Sequence, residues 1–211
     1  METGLLKGEN FNAFEVGLLE YLLVVSPDAC VYDKVMEEKQ NFFDEYGEKI
    51  PLHTKPDITV ANFLAMERME ETIIKWIQRI CGFKHGFDVV LNNYSGFPRS
   101  NTVFIRVQDH EPFKKLAKAL HVIDEYVRSN GCPKVRIIDY PHLTIARRLP
   151  LNIYEKAMME YSQKLFHESF PVRQLVLMRR DSEFGKYKVV NVFALLPPDP
   201  NEDGHQMNLF N

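Results

Sequence analysis

The chain is poor in several features that would place it quickly. It has three cysteines in 211 residues. Cys30, Cys81 and Cys132 share no Cys-x-x-Cys spacing, so neither a disulfide framework nor a zinc site is expected, and a reducing cytoplasm fits best. Basic excess is also missing: 26 Lys and Arg against 29 Asp and Glu give a formal net charge of −3. Bulk charge therefore does not hold this chain to nucleic acid, and any polyanion site must be local. Long hydrophobic runs are absent. The run Val16 to Val25 is interrupted by Glu20, is too short to span a bilayer and has no basic leader, so neither membrane anchor nor export signal is expected. What is present is ordinary globular material, 45% hydrophobic and 26% charged, enough for one domain or two intimately packed lobes.

Two short stretches nearly repeat each other. Pro56-Asp57-Ile58-Thr59-Val60-Ala61 and Pro141-His142-Leu143-Thr144-Ile145-Ala146 share one polar/apolar alternation. Side chains at i and i+2 of an extended strand lie on one face, so Asp57 points with Thr59 and His142 with Thr144, while Ile58/Val60 and Leu143/Ile145 turn into a core. Side by side, such strands bring two polar pairs to one cleft.

The order of elements around the two stretches repeats as well. Tyr21 to Val25 reads as a buried strand, and Ser26-Pro27 as the N-cap and first residue of a helix running to about Gly47, with Val31, Val35, Phe42 and Tyr46 as its apolar stripe. The first motif strand follows, then a helix over about 67–81. Phe87 to Asn93 and Thr102 to Val107 read as a strand pair joined by the turn-rich 94–100 segment. A helix from Phe113 to about Gly131 precedes the second motif strand, about 138–147. Asn152 with Glu155 predicts a capping box for a helix reaching about His167, and two strands, about 172–178 and 187–196, close the order. The expected class is α+β: a duplicated, two-lobed fold with antiparallel-rich sheets flanking a central cleft and helices outside. Residues 1–17 read as a lead, 18–196 as the bilobal domain, and the proline-rich 197–211 as a flexible tail.

These motifs resemble those of the 2H phosphoesterase superfamily, which contains 2'-5' RNA ligase-like proteins and cyclic nucleotide phosphodiesterases. Its hallmark is a pair of His-x-Thr motifs roughly eighty residues apart, one per lobe. The second stands here as Tyr140-Pro141-His142-Leu143-Thr144-Ile145-Ala146-Arg147. The first, Lys55-Pro56-Asp57-Ile58-Thr59-Val60-Ala61, keeps the flanks and the threonine but carries aspartate in place of histidine. The Gly96-Phe97-Pro98 turn and the closing strand extend the likeness. The resemblance implies a phosphoester of an RNA end or a small nucleotide as ligand, with no cofactor and no metal.

Opening a 2',3'-cyclic phosphate with water needs one group to take a proton and another to give one. Imidazole, with an unperturbed pKa of about 6.5, serves either role near neutrality, and a threonine hydroxyl can hold a phosphate oxygen. Asp57 breaks that symmetry. A carboxylate of unperturbed pKa about 3.9 is protonated only about one part in a thousand at pH 7, and its charge repels a phosphate about 4 Å away by roughly 4 kcal/mol at an effective dielectric of 20. The expected assignment is therefore Asp57 as base and His142 as acid, with Thr59 and Thr144 beside them; the alternative is a binding module that has lost turnover. His53, about 13 Å up the strand, is too far to replace Asp57. Arg147 follows the second motif, Arg148 is in phase with His142 in an ideal strand, and either offers a guanidinium to phosphate. Tyr94 and Phe97 are candidates to stack on a base. The tail segment Gln206-Met207-Asn208-Leu209-Phe210 resembles the short peptides that dock on a bacterial sliding clamp, giving a third, adaptor reading. Arg179-Arg180 reads as a charged strand terminus.

Overall fold

The computed structural model describes residues 17–48, 54–183 and 185–198. His53 and the Gln206–Phe210 peptide lie outside the described residues, as do most of the expected lead and tail. The order is β1 (Leu18–Val25), α1 (Ala29–Tyr46), β2 (Ile58–Met66), a 3-10 turn leading into α2 (Glu70–Cys81), β3 (Phe87–Phe97), β4 (Thr102–Val107), α3 (Glu111–Ser129), β5 (Arg136–Ile137), β6 (His142–Ala146), α4 (Leu151–Tyr161), β7 (His167–Val172), β8 (Gln174–Arg180) and β9 (Lys188–Ala194).

The strands form one sheet in the order β7-β3-β4-β6-β2-β1-β8-β9, with β5 added beside β2. Every ladder between named strands is antiparallel. The α+β, antiparallel expectation holds, and the two motif strands are direct neighbours at its centre. They meet through a single register pair, Ile58 with Leu143, so the sheet is two half-sheets joined where the motifs lie. The helices interleave across that join. α1 leaves β1 in one half and packs on β6 and β7 of the other, while α3 leaves β4 and packs back on β2.

A shared irregularity reinforces the duplication. Leu23 pairs with Ala61 but Val24 with Thr59, so Val60 is an extra residue in β2. Val103 pairs with Ala146 but Phe104 with Thr144, so Ile145 is an extra residue in β6. Both bulges fall three residues after the motif position, and Val60 and Ile145 are fully buried. A bulge re-aims the residues that follow it. In β2 it leaves Asp57 and Thr59 on the face that Asn62 then continues.

Several local expectations need correction. Asp28, not Ser26, caps α1, its carboxylate accepting from the Val31 N–H at 2.9 Å; this frees Ser26 for another partner. The predicted capping box does not form, since α4 begins at Leu151 after Pro150 with no side-chain cap. That helix stops at Tyr161, short of the expected His167, because the chain turns to pair with β3: the Asn93 N–H donates to the Phe166 carbonyl at 2.7 Å and the Asn93 Oδ1 accepts from the Phe166 N–H at 3.1 Å. Residues 167–172 then form an edge strand that the helical stripe does not foretell. The second motif strand is shorter than expected, because Arg136-Ile137 pairs with β2 of the other half before Pro141 leads into β6.

The α1 stripe packs as predicted, with one addition. Val31, Val35 and Phe42 are buried, and so is Lys39, at 0% exposure. Gly96 pairs with Val103 inside β3 rather than lying in the expected turn, and it is small for a packing reason: a Cβ there would stand 2.5 Å from the Tyr154 hydroxyl and 2.6 Å from the Met158 sulfur. Gly96→Ala is expected to push α4 off the β3–β4 ribbon and lower stability by about 1–3 kcal/mol, read from the urea unfolding midpoint at unchanged m-value.

Candidate active site at the join of the two half-sheets

His142 opens β6, and its ring is fixed from both sides. Nδ1 lies 2.9 Å from the Tyr140 carbonyl oxygen. A carbonyl only accepts, so Nδ1 carries the proton and Nε2 of the neutral ring keeps its lone pair. Phe97 stands edge-on to the imidazole at 4.9 Å and Phe104 lies at 5.1 Å, the two phenyl rings stacking at 4.3 Å. This apolar collar disfavours charge on the ring. Burial pulls the His142 pKa below its ordinary value and the charge of Arg136 adds to that, against the bond to Tyr140.

Continuing the Ile58–Leu143 register puts Thr59 opposite His142 and Asp57 opposite Thr144. Opposed residues of an antiparallel pair share a face, and diagonal ones stand about 7–8 Å apart, so the fold brings all four motif residues to one patch. Asp57 accepts a hydrogen bond from the Ser26 hydroxyl at 2.7 Å. Burial pushes its pKa up; the Ser26 bond and the charges of Lys55 and Lys39 oppose this without cancelling it. Both candidate acid–base groups are thus biased toward their neutral forms.

The remaining predicted residues separate. Phe97 lies at the site, against His142. Tyr94 does not: it is 7% exposed, it pairs with Ile105, one residue out of phase with Phe104, and its hydroxyl donates to Glu38 at 2.8 Å while its ring packs edge-on to Tyr161 at 4.8 Å. It is a packing residue between α1, β3 and α4. The bulge at Ile145 also changes the reading of the two arginines. β6 ends at Ala146, and the shifted phase gives the site face to Arg147. Arg148 sits at φ 56° in a turn, its N–H bonded to the Ser100 carbonyl at 3.2 Å. Both side chains are exposed, and the Arg147 charge acts on Lys39 and on Tyr187.

The structure adds residues that the motif reading missed. Phe104 and Arg106 share a phase in β4, and Arg106 pairs directly with His142; the strand pattern at 102–107 held that signal. In the other half, Asn62 donates to Glu20 at 2.7 Å, Glu20 pairs with Arg180, and the Arg180 guanidinium lies 5.0 Å over the Tyr187 ring. Arg180 is thus part of a polar network with Asn62 and Glu20, while Arg179 holds Glu70 at 2.7 Å. No group of three His, Cys, Asp or Glu among the described residues is arranged to hold a metal ion, and none of the described helices is long and apolar enough to cross a membrane.

The family model of the 2'-5' RNA ligase superfamily matches residues 31–183, spanning both motif strands. The chain belongs to that superfamily. Its two motif strands carry Asp57-Ile58-Thr59 and His142-Leu143-Thr144, so the two motifs differ at their first residue. A Geobacillus thermodenitrificans (strain NG80-2) protein named "Putative phosphoesterase" is 28% identical over 155 residues, 72% of this chain and 82% of that one. The fold matches that of E. coli LigT complexed with 3'-AMP at a TM-score of 0.57, with 15% identity over 84% of this chain and 98% of LigT. It matches TT0787 of Thermus thermophilus at 0.55, with 16% identity over 85% and 100% of the two chains.

The Asp57 shift has a stability consequence. A folded-state pKa above the unfolded one means that the native state binds more protons, so stability falls as pH rises from the unfolded value through the folded one. Asp57→Asn mimics the neutral form and still accepts from Ser26. It is expected to raise the thermal midpoint at pH 7 and to leave it unchanged near pH 3, where Asp57 is protonated in both states; equal effects at the two pH values would contradict the assignment.

Proposed function

We propose that this protein opens 2',3'-cyclic phosphates at RNA ends or on small nucleotides, with the roles of the two motif residues reversed from the sequence expectation. The observation that carries this reading is the Nδ1–H bond from His142 to the Tyr140 carbonyl, which leaves Nε2 as a free base inside an apolar collar. Nε2 takes a proton from water as the water oxygen attacks phosphorus. The bond from phosphorus to the leaving ribose oxygen breaks, and that oxygen takes a proton from the neutral carboxyl of Asp57. Thr59 and Thr144 hold the non-bridging oxygens, and Arg147 offsets phosphate charge. Phe97 borders the ligand. A nucleotide ligand agrees with the relatives: LigT has been crystallised with 3'-AMP, ATP and NADP+.

Burial favours the neutral form of both groups, and neutral histidine is a base while a neutral carboxyl is an acid. The productive form therefore has His142 unprotonated and Asp57 protonated. Its pH–rate profile is expected to be bell-shaped with a maximum on the acidic side of about 6.5, the ordinary histidine value. The second reading is a binding module that has lost turnover, favoured by the Ser26, Lys39 and Lys55 interactions that hold Asp57 toward its anion.

Incubation with 2',3'-cyclic nucleotides and 2'-5'-linked oligonucleotides separates the two. Turnover that falls about 10²–10⁴-fold in His142→Ala supports the enzyme. Binding without turnover, with activity gained in Asp57→His, supports the binding module. If no phosphoester is bound or cleaved by wild type or by Asp57→His, both readings fail.

A further inference from the structure

Three polar or charged side chains are buried among the described residues: Lys39, Thr102 and Asp124. Thr102 closes a local turn with Ser100. Asp124 fastens α3 to the following loop, accepting from the Val135 N–H at 2.8 Å and from Arg128 at 3.0 Å. Lys39 is different in kind. A lysine is almost never fully buried unless it is paired, and this one sits on the apolar stripe of α1 at the phase of Val35 and Phe42. Its ammonium donates to the Thr54 carbonyl at 2.8 Å and to the Thr54 hydroxyl at 2.9 Å.

Those two bonds satisfy protons but bring no opposite charge. Burial drops the Lys39 pKa to about 8, so it still carries its charge at neutrality. Two charged groups act on it: Asp57, from the start of β2, stabilises the cation, and Arg147, from the end of β6, opposes it. No direct ion pair joins Lys39 to Asp57. The link is geometric as well as electrostatic, because Thr54 stands three residues before Asp57 on the segment that enters the motif strand. The same ammonium thus anchors the segment that delivers the carboxylate acting on it.

We propose that Lys39 is a positioning residue of the phosphoester site, pinning through Thr54 the segment that carries Asp57 and supplying a buried positive charge to that part of the site. The inference rests on Asp57 belonging to the site. Lys55 and Ser26 act on the carboxyl as well, so Lys39 is one of three groups opposing its protonation, and the one supplied from the core of a helix.

The test is a titration of the Asp57 side-chain carboxyl by carbon-13 NMR in the full chain, which needs no substrate. In Lys39→Met the Asp57 midpoint is expected to rise, and any cyclic phosphodiesterase activity should show the limb of its pH profile that Asp57 sets moving upward by the same interval. A midpoint unchanged in folded Lys39→Met overturns the proposal. Coupling is reciprocal, so Asp57→Asn should lower the midpoint of the Lys39 ammonium, followed through its ε-carbon shift. That measurement decides the matter if Lys39→Met does not fold, and an unmoved Lys39 overturns the proposal there. A wild type that shows the coupled titrations but neither binds 3'-AMP nor cleaves cyclic phosphates refutes the functional reading alone.

Discussion

The structure depends on how β2 and β6 are held together. Each half-sheet has long internal ladders, but the motif strands share the single register pair Ile58–Leu143, and beside it only the two residues of β5 pair across to β2. With so short a ladder at that seam, apolar packing adds to it. Ile58, Val60, Leu143 and Ile145 are all fully buried, each worth roughly 1.5–3 kcal/mol when removed from water. The interleaved helices then clamp the seam, with α1 on β6 and α3 on β2. Because the seam is narrow, it also sets the site: it is the place where the polar faces of both motif strands meet.

A symmetric backbone here carries an asymmetric chemistry. Both motif strands bulge at the third residue after the motif position, and both present an acid–base group followed by threonine on one face. The surroundings differ. His142 is ringed by Phe97 and Phe104 and bonded to a carbonyl; Asp57 is met by Ser26, Lys39 and Lys55. The aromatic collar needs only that its histidine be neutral. A carboxylate in a buried site needs donors and cations, and they come from the end of β1, the core of α1 and the segment before β2.

Much of this is legible in the chain. The duplicated order, the motif strands as neighbours and the α+β class follow from alternation and helical stripes, because those patterns report burial directly. The bulges are not legible, since alternation assumes an unbroken pleat; that is why Arg148 looks in phase with His142 when Arg147 is. Tyr94 fails as a ligand-stacking candidate because a turn-rich composition suggests exposure, whereas β3 runs through to Phe97 and buries it. The end of α4 is overrun in the sequence because local periodicity cannot see the pairing partner at β3. Lys39 has a signal that a motif search passes over: a lysine standing where the stripe 31-35-42-46 calls for an apolar residue.

The conflict at Asp57 is therefore the point on which the chemistry turns. On the proposed reading, apolar burial suits both motif residues to acid–base work, because it favours the neutral imidazole and the neutral carboxyl. The cations around Asp57 work in the opposite sense, keeping its proton off and its charge on. On the proposed reading, an ionised Asp57 would leave a site that holds a phosphoester without being able to protonate its leaving oxygen. A protonated Asp57 completes the acid–base pair. Burial outweighs the cations in this structure, since the carboxyl pKa is raised on balance, and the margin between them decides how far into the physiological range a catalytic form of the pair extends.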